Sequence, residues 1–98
     1  MRIEFAPEAV DDLAGAIEYL QERNPGAAVV TAGLVFDAID KLAAGEFEGP
    51  ERRLRRTGER VRSWPVPPYR IYYRREPDVF LVLRVHHGRR NPISRTPR

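Results

Sequence analysis

The chain contains no cysteine, which excludes a disulfide scaffold, a cysteine-ligated zinc or iron–sulfur site and a thiol nucleophile together. No run comes near the ~20 consecutive apolar residues that a membrane span needs, so no membrane partner is expected. No basic segment followed by an apolar one opens the sequence, and the expected compartment is the cytoplasm. A glycine-rich phosphate loop, a paired-histidine helix and a nucleophile elbow are all missing, so the ordinary enzyme classes find no support. The two histidines, His86 and His87, are neighbours. In a strand they would point to opposite faces, and with no third histidine nearby no metal site is expected.

What is present is arginine, unevenly placed. Residues 1–46 carry three basic and nine acidic side chains, and residues 47–98 carry fourteen and five, giving −6 for the first part and +9 for the second. All fourteen basic residues of the second part are arginine. A guanidinium offers a fixed fork of donors suited to phosphate or carboxylate. A GC-rich coding sequence would also favour arginine over lysine, but it does not explain the segregation.

Ninety-eight residues suit one domain, 1–98, whose last stretch, 88–98, reads as a flexible basic tail. Arg2 to Phe5 alternates as a short strand. A helix starts at Pro7, with Val10, Leu13, Ala14, Ile17 and Leu20 as its buried stripe and Asp11, Glu18 and Glu22 on its wet flank. Asn24-Pro25 ends it and opens a second helix, Asn as N-cap and Pro at the first helical position, running to about Ala44 with Gly45 as the stop. The stripe of this helix is Ala28, Ala32, Val35, Ile39 and Leu42. A further apolar edge, Val30 and Leu34 with Ala27 and Ala38, is expected to pack on the first helix; the sharper alternative is a groove for a partner.

Residues 45–59 read as a charged connector with a short helical turn around 51–56. Three strands follow, Arg60 to Trp64, Tyr69 to Arg75 and Val79 to His87, as an antiparallel meander whose first strand is confined to an edge by the prolines at 65–68. The fold class is therefore α+β: an N-terminal strand, an antiparallel helical hairpin, then three strands, with the hairpin on one face of the sheet. Alternation puts Leu81, Leu83 and Val85 in the core. It gathers Arg60, Arg62, Arg70, Arg74, Arg84 and His86 around Trp64 and Tyr72 on the open face, with Phe80 and Val82. Cations interleaved with aromatics suit a phosphate-bearing partner; a solvated face with cross-strand pairs is the plainer use.

The hairpin with Asp12-Leu13 and the Asn24-Pro25 break, YRIYYRR at 69–75 and LRVHHGRRNP at 83–92 together resemble the RelE/ParE superfamily, toxins of type II toxin–antitoxin systems. The ending HHGRRNPI is closer to the ParE branch. The resemblance implies a cofactor-free cytoplasmic toxin that inhibits growth and serves plasmid stabilization, acting on DNA gyrase. It also implies a cognate ParD-like antitoxin with an acidic segment, meeting Val30 and Leu34 and the arginines Arg52, Arg53, Arg55 and Arg56. Contacts to the target are assigned to Arg60, Arg62, Trp64, Arg84, Arg89, Arg90 and Arg95. The alternative branch cuts messenger RNA on the ribosome; here Arg70 and Arg74 would stabilise charge and His86, His87 or Glu59 would move a proton. Asn91-Pro92-Ile93 stands where that branch often ends in an aromatic group. A non-toxic antitoxin-binding module is the third reading.

Overall fold

The computed structural model describes residues 1–88, so the expected tail lies, after Gly88, outside them. The elements run β1 (Arg2–Phe5), α1 (Pro7–Arg23), α2 (Pro25–Ala43), β2 (Glu51–Arg53), β3 (Arg60–Val66), β4 (Tyr69–Glu76) and β5 (Val79–His87). The sheet has five strands in the order β1-β5-β4-β3-β2, antiparallel except for β1, which runs parallel to β5. The α+β class, the helical hairpin and the antiparallel run of β3, β4 and β5 agree with the reading from sequence.

Local chemistry accounts for the helix boundaries. Pro7 and Pro25 stand at the first turns, where a missing N–H removes no helical bond. Asn24 serves both helices: its N–H donates to the Leu20 carbonyl at 2.6 Å, and its side-chain oxygen accepts from Ala27 N–H at 3.1 Å. Gly45, at φ +84°, turns the chain out of α2 in a conformation that an L side chain resists. No described helix is long and apolar enough to cross a membrane.

The core lies between the hairpin and the sheet. Val35, Ile39 and Leu42 of α2 meet Ile71 and Tyr73 of β4 and Phe80, Val82 and Val85 of β5, and Tyr73 stacks on Phe80 at 4.8 Å. Burying each of these large side chains contributes roughly 1.5–3 kcal/mol. On α1 the buried residues are Ala9 and Leu13, with Ala16, Ile17 and Leu20 partly covered, whereas Val10 and Ala14 are exposed. The expected stripe was thus rotated: small Ala9 and Ala16 face inward. Ala38 is buried, but Val30 and Leu34 are not covered by α1 and stay 61% and 54% exposed. Thr31, Ala32 and Val35 occupy the contact with Leu13, Ala16, Ile17 and Leu20 instead.

Four further expectations are corrected. The connector carries no helical turn at 51–56; Glu51–Arg53 forms β2, which pairs with Arg60, Val61 and Arg62, so β3 is not an edge strand. Pro65 is tolerated because β2 stops short of it, leaving that side of β3 unpaired. On β5, a bulge shifts the alternation: Tyr72 faces Arg84, but Tyr73 faces Val82, leaving Leu83 unmatched. Phe80, Val82 and Val85 consequently share the core, and Leu81 and Leu83 do not join it. Finally, the face away from the hairpin is not bare, since Val61, Ser63 and Tyr72 are buried there.

Candidate functional site

β1 ends at Phe5, opposite Val82, and the rest of β5 would be a free edge. Beyond Phe5 the chain turns into α1, which lies along this edge and brings Asp12 to it. Asp12 accepts two hydrogen bonds from the Arg84 guanidinium, at 2.7 and 3.0 Å, and one from the Val85 backbone N–H at 2.9 Å. Both side chains are about four-fifths buried, at 20% and 17% exposure. The carboxylate raises the Arg84 pKa above its usual value, chiefly through this hydrogen bond.

Past this pair the helix and strand diverge into a cleft of about 580 Å³. Asp11, Asp12, Gly15 and Tyr19 of α1 form one wall, Arg84 to His87 of β5 the other, and Pro68 and Tyr69 the end. Pro67-Pro68 is a cis peptide, and the Pro68 carbonyl accepts Gly88 N–H at 2.7 Å, tying the β3–β4 turn to the end of β5. His86 faces Arg70 across the ladder; His87 faces Tyr69 and makes an edge-to-face contact with it at 5.4 Å. Burial pushes the His86 pKa below its usual value, and the charge of Arg84 adds to this. The two histidines are thus on opposite faces, as strand alternation requires. Among the described residues no group of three or more histidine or carboxylate side chains is placed to hold a metal.

The arginine face expected from alternation is split between the two sides of the sheet. Arg62 faces Tyr73 and Trp64 faces Ile71, so both lie with the core side chains on the hairpin side. Trp64 stacks on Phe47 of the connector, with centroids 4.8 Å apart and planes 5° from parallel. Arg62 pairs with Glu48 at 2.9 Å and donates to the Gly49 carbonyl at 2.7 Å. Arg60 shares the side of Arg62 and meets Glu51 at 3.5 Å. The physical reason is the partner on each face: Trp64 meets the Phe47 ring on the hairpin side, while Val61 and Ser63 are buried on the other.

The other side keeps Arg70, Tyr72, Arg74 and His86. Arg70 donates to Ser63 Oγ at 3.0 Å. Arg74 is paired with Glu59 and, at 3.0 Å, with Glu76. Arg70 and His86 are therefore brought together, whereas Glu59 is engaged with Arg74 and His87 is on the opposite face. Arg52 and Arg53 are in β2, and Arg55 and Arg56 form the turn to β3. Val30 and Leu34 belong to the other end of the molecule, in the half of α2 whose Thr31 borders Tyr69 and Val85. Arg89, Arg90 and Arg95 lie outside the described residues.

Sequence reasoning named Asp12 only in the Asp12-Leu13 pair that helps carry the resemblance, without a structural role, and did not single out the Glu48 cluster. Glu48 meets Arg62 and Arg75, and its pKa is held low mainly by the Arg75 hydrogen bond. Arg75 also donates to the Leu42 carbonyl near the end of α2, and Tyr73, whose pKa burial pushes up, accepts Gly49 N–H at 2.9 Å. The one visible signal was position: Asp12 adjoins buried Leu13, and Glu48 follows Phe47 in a connector otherwise without a period.

The family model described as ParE toxin of type II toxin–antitoxin system, parDE, matches residues 3–92. Among solved structures, one described as a chromosomal ParDE TA system from P. aeruginosa superposes with a TM-score of 0.69. It is 18% identical in sequence, over 89% of this chain and 95% of that one, and so bears on the fold. No curated protein matches.

Proposed function

The chain belongs to the ParE toxin family of type II toxin–antitoxin systems, and from this we propose that it inhibits DNA gyrase by surface contact and is neutralised by an acidic ParD-like antitoxin in the cytoplasm. The observation that carries the reading is the family match across residues 3–92. The geometry supports contact over chemistry. Arg70, Arg74 and Arg84 are each engaged by a neighbouring side chain, Glu59 is held by Arg74, and the histidines are divided between faces. A phosphoryl-transfer site requires a proton-transfer group and a cation aimed at one phosphate.

The antitoxin side of the reading rests on α2. From Pro25 to Phe36 the helix carries no charge, and Val29, Val30, Leu34 and Phe36 are all exposed large apolar side chains. A contiguous apolar face on a small domain marks a protein contact, and an amphipathic segment of the antitoxin would cover it. The test is purification of the chain with its antitoxin, release of the toxin, and assay of gyrase supercoiling beside cleavage of ribosome-bound mRNA. Inhibition of supercoiling without cleavage is the expected result. The ribonuclease branch remains the second reading on one observation, the placement of Arg70 opposite His86.

A further inference from the structure

The β2–β3 hairpin uses its positive charge differently from the rest of the sheet. Between Glu51 and Arg60 it holds five arginines, Arg52, Arg53, Arg55, Arg56 and Arg60, against two glutamates. All five are exposed. Glu59 is occupied by Arg74, and Glu51 approaches Arg60 only to 3.5 Å. The Arg53 guanidinium donates to the Gly58 carbonyl at 2.8 Å, a partner without charge. The side chains of Arg52 and Arg55 make no hydrogen bond or ion pair among the described residues. Arg53 also stands directly opposite Arg60 in the ladder. Like charges in that position destabilise a strand pair; Glu51 offsets the Arg60 charge, and no carboxylate does the same for Arg53 among the described residues.

We propose that this hairpin binds the phosphate backbone of duplex DNA. β2 is the outer strand of the sheet; Arg53 and Arg60 share one face of the hairpin, Arg52 is on the other, and Arg55 and Arg56 stand in the turn between the strands. The residue types select the partner. Residues 51–60 contain no aromatic side chain for stacking unpaired bases, which single-stranded nucleic acid would call for. Their one apolar side chain, Leu54, is half-buried, so the hairpin lacks the anchors by which a peptide segment docks. Charge without apolar or aromatic contact fits sequence-independent phosphate binding. The inference stands apart from the gyrase reading, since it concerns DNA alone.

The experiment is fluorescence anisotropy of a labelled duplex with the purified full chain, compared with single-stranded DNA of equal length. Three or four neutralised phosphates predict a log–log salt slope of about −3 to −4, or roughly a hundredfold weakening between about 50 and 200 mM salt. Arg52→Gln with Arg55→Gln should weaken duplex binding at least tenfold (~1.4 kcal/mol) and reduce the slope by about 2, with the melting temperature unchanged. Changing Arg89, Arg90 and Arg95 to Gln should leave that difference in place. Absence of duplex binding, tighter binding to the single strand, or loss only with the second set of changes would overturn the proposal. So would a hairpin variant that keeps its DNA affinity but loses the antitoxin, which would return these arginines to the antitoxin contact.

Discussion

Asp12 stands in for a missing strand beside Arg84. Where β1 stops, its carboxylate takes the Val85 N–H that a further β1 residue would have accepted, and clamps the arginine next to it. Removing Asp12 leaves a largely buried charge and an unpaired N–H, and removing Arg84 leaves only the charge. Asp12→Ala should cost about 2 kcal/mol, below the range for fully buried pairs because a fifth of each side chain meets water. Urea denaturation of both single variants and of Asp12→Ala with Arg84→Met would measure the coupling; additive losses would mean that the pair contributes nothing beyond packing.

Gly49 makes the second structural prediction. A Cβ there would sit 1.8 Å from the Ser63 carbonyl oxygen, a backbone atom that cannot swing aside. The residue also donates its N–H to Tyr73 in the Glu48 cluster. Gly49→Ala should therefore destabilise the fold by about 3 kcal/mol or more, through displacement of the connector from β3. Gly15→Ala, where nothing lies within 4 Å, is the control and should be neutral or slightly stabilising by thermal melting.

These residues also show what the sequence could and could not convey. The helices were legible because Pro7, Asn24-Pro25 and Gly45 each have a local reason to stand at a boundary, and β5 because its apolar run has no rival reading. β2 was not, since Glu-Arg-Arg has no apolar alternation and forms a strand only because Arg60 to Arg62 lie beside it. The face of Trp64 depends on Phe47, 17 positions earlier, and that contact exists only once α2 is docked. The bulge at Leu83 inverted half of β5 because it depends on pairing with β4, which no single strand encodes. The Asp12–Arg84 pair spans 72 positions, and many arginines could have been its partner.

The exposed face of α2 predicts a clean separation of binding from folding. Val30→Glu with Leu34→Glu puts charge on residues already more than half exposed, so the melting temperature should hold within a few degrees. Affinity for the antitoxin segment should fall at least tenfold, since an apolar contact is replaced by two charges that must be desolvated. Isothermal titration with the antitoxin peptide measures this; an unchanged dissociation constant removes this face from the complex.

Two groups predict stability losses on the acid side, in different windows. His86 is held below its usual pKa, first by burial and then by Arg84, so the folded state binds fewer protons than the unfolded chain. Its contribution is complete above about 6.5 and lost as pH falls through the lower folded value. Glu48, lowered mainly by Arg75, contributes fully above about 4.3 and loses its contribution as pH falls through its depressed value. His86→Gln should flatten the upper window alone and Glu48→Gln the lower one alone, read as urea midpoints across pH.

The two toxin mechanisms make opposite demands on His86 and Arg70. If the chain were a ribonuclease, their placement across the β4–β5 ladder would be the active pair, and His86→Ala or Arg70→Ala should each lower cleavage by about a hundredfold or more. A gyrase inhibitor uses these side chains only as surface, and its potency should change by no more than a few-fold. Arg70 needs a control, because it also holds Ser63 Oγ, whose residue is fully buried. Arg70→Lys preserves a donor and a charge but not the guanidinium fork, so a fold defect would be relieved while bidentate phosphate binding would not. His87 serves as the second control: its ring packs on Tyr69 on the opposite side, and His87→Phe should keep that contact. We expect supercoiling inhibition to survive His86→Ala, Arg70→Lys and His87→Phe alike. Cleavage of ribosome-bound mRNA by the unaltered chain, lost in the first two variants and retained in the third, would place the chain's activity in the ribonuclease branch.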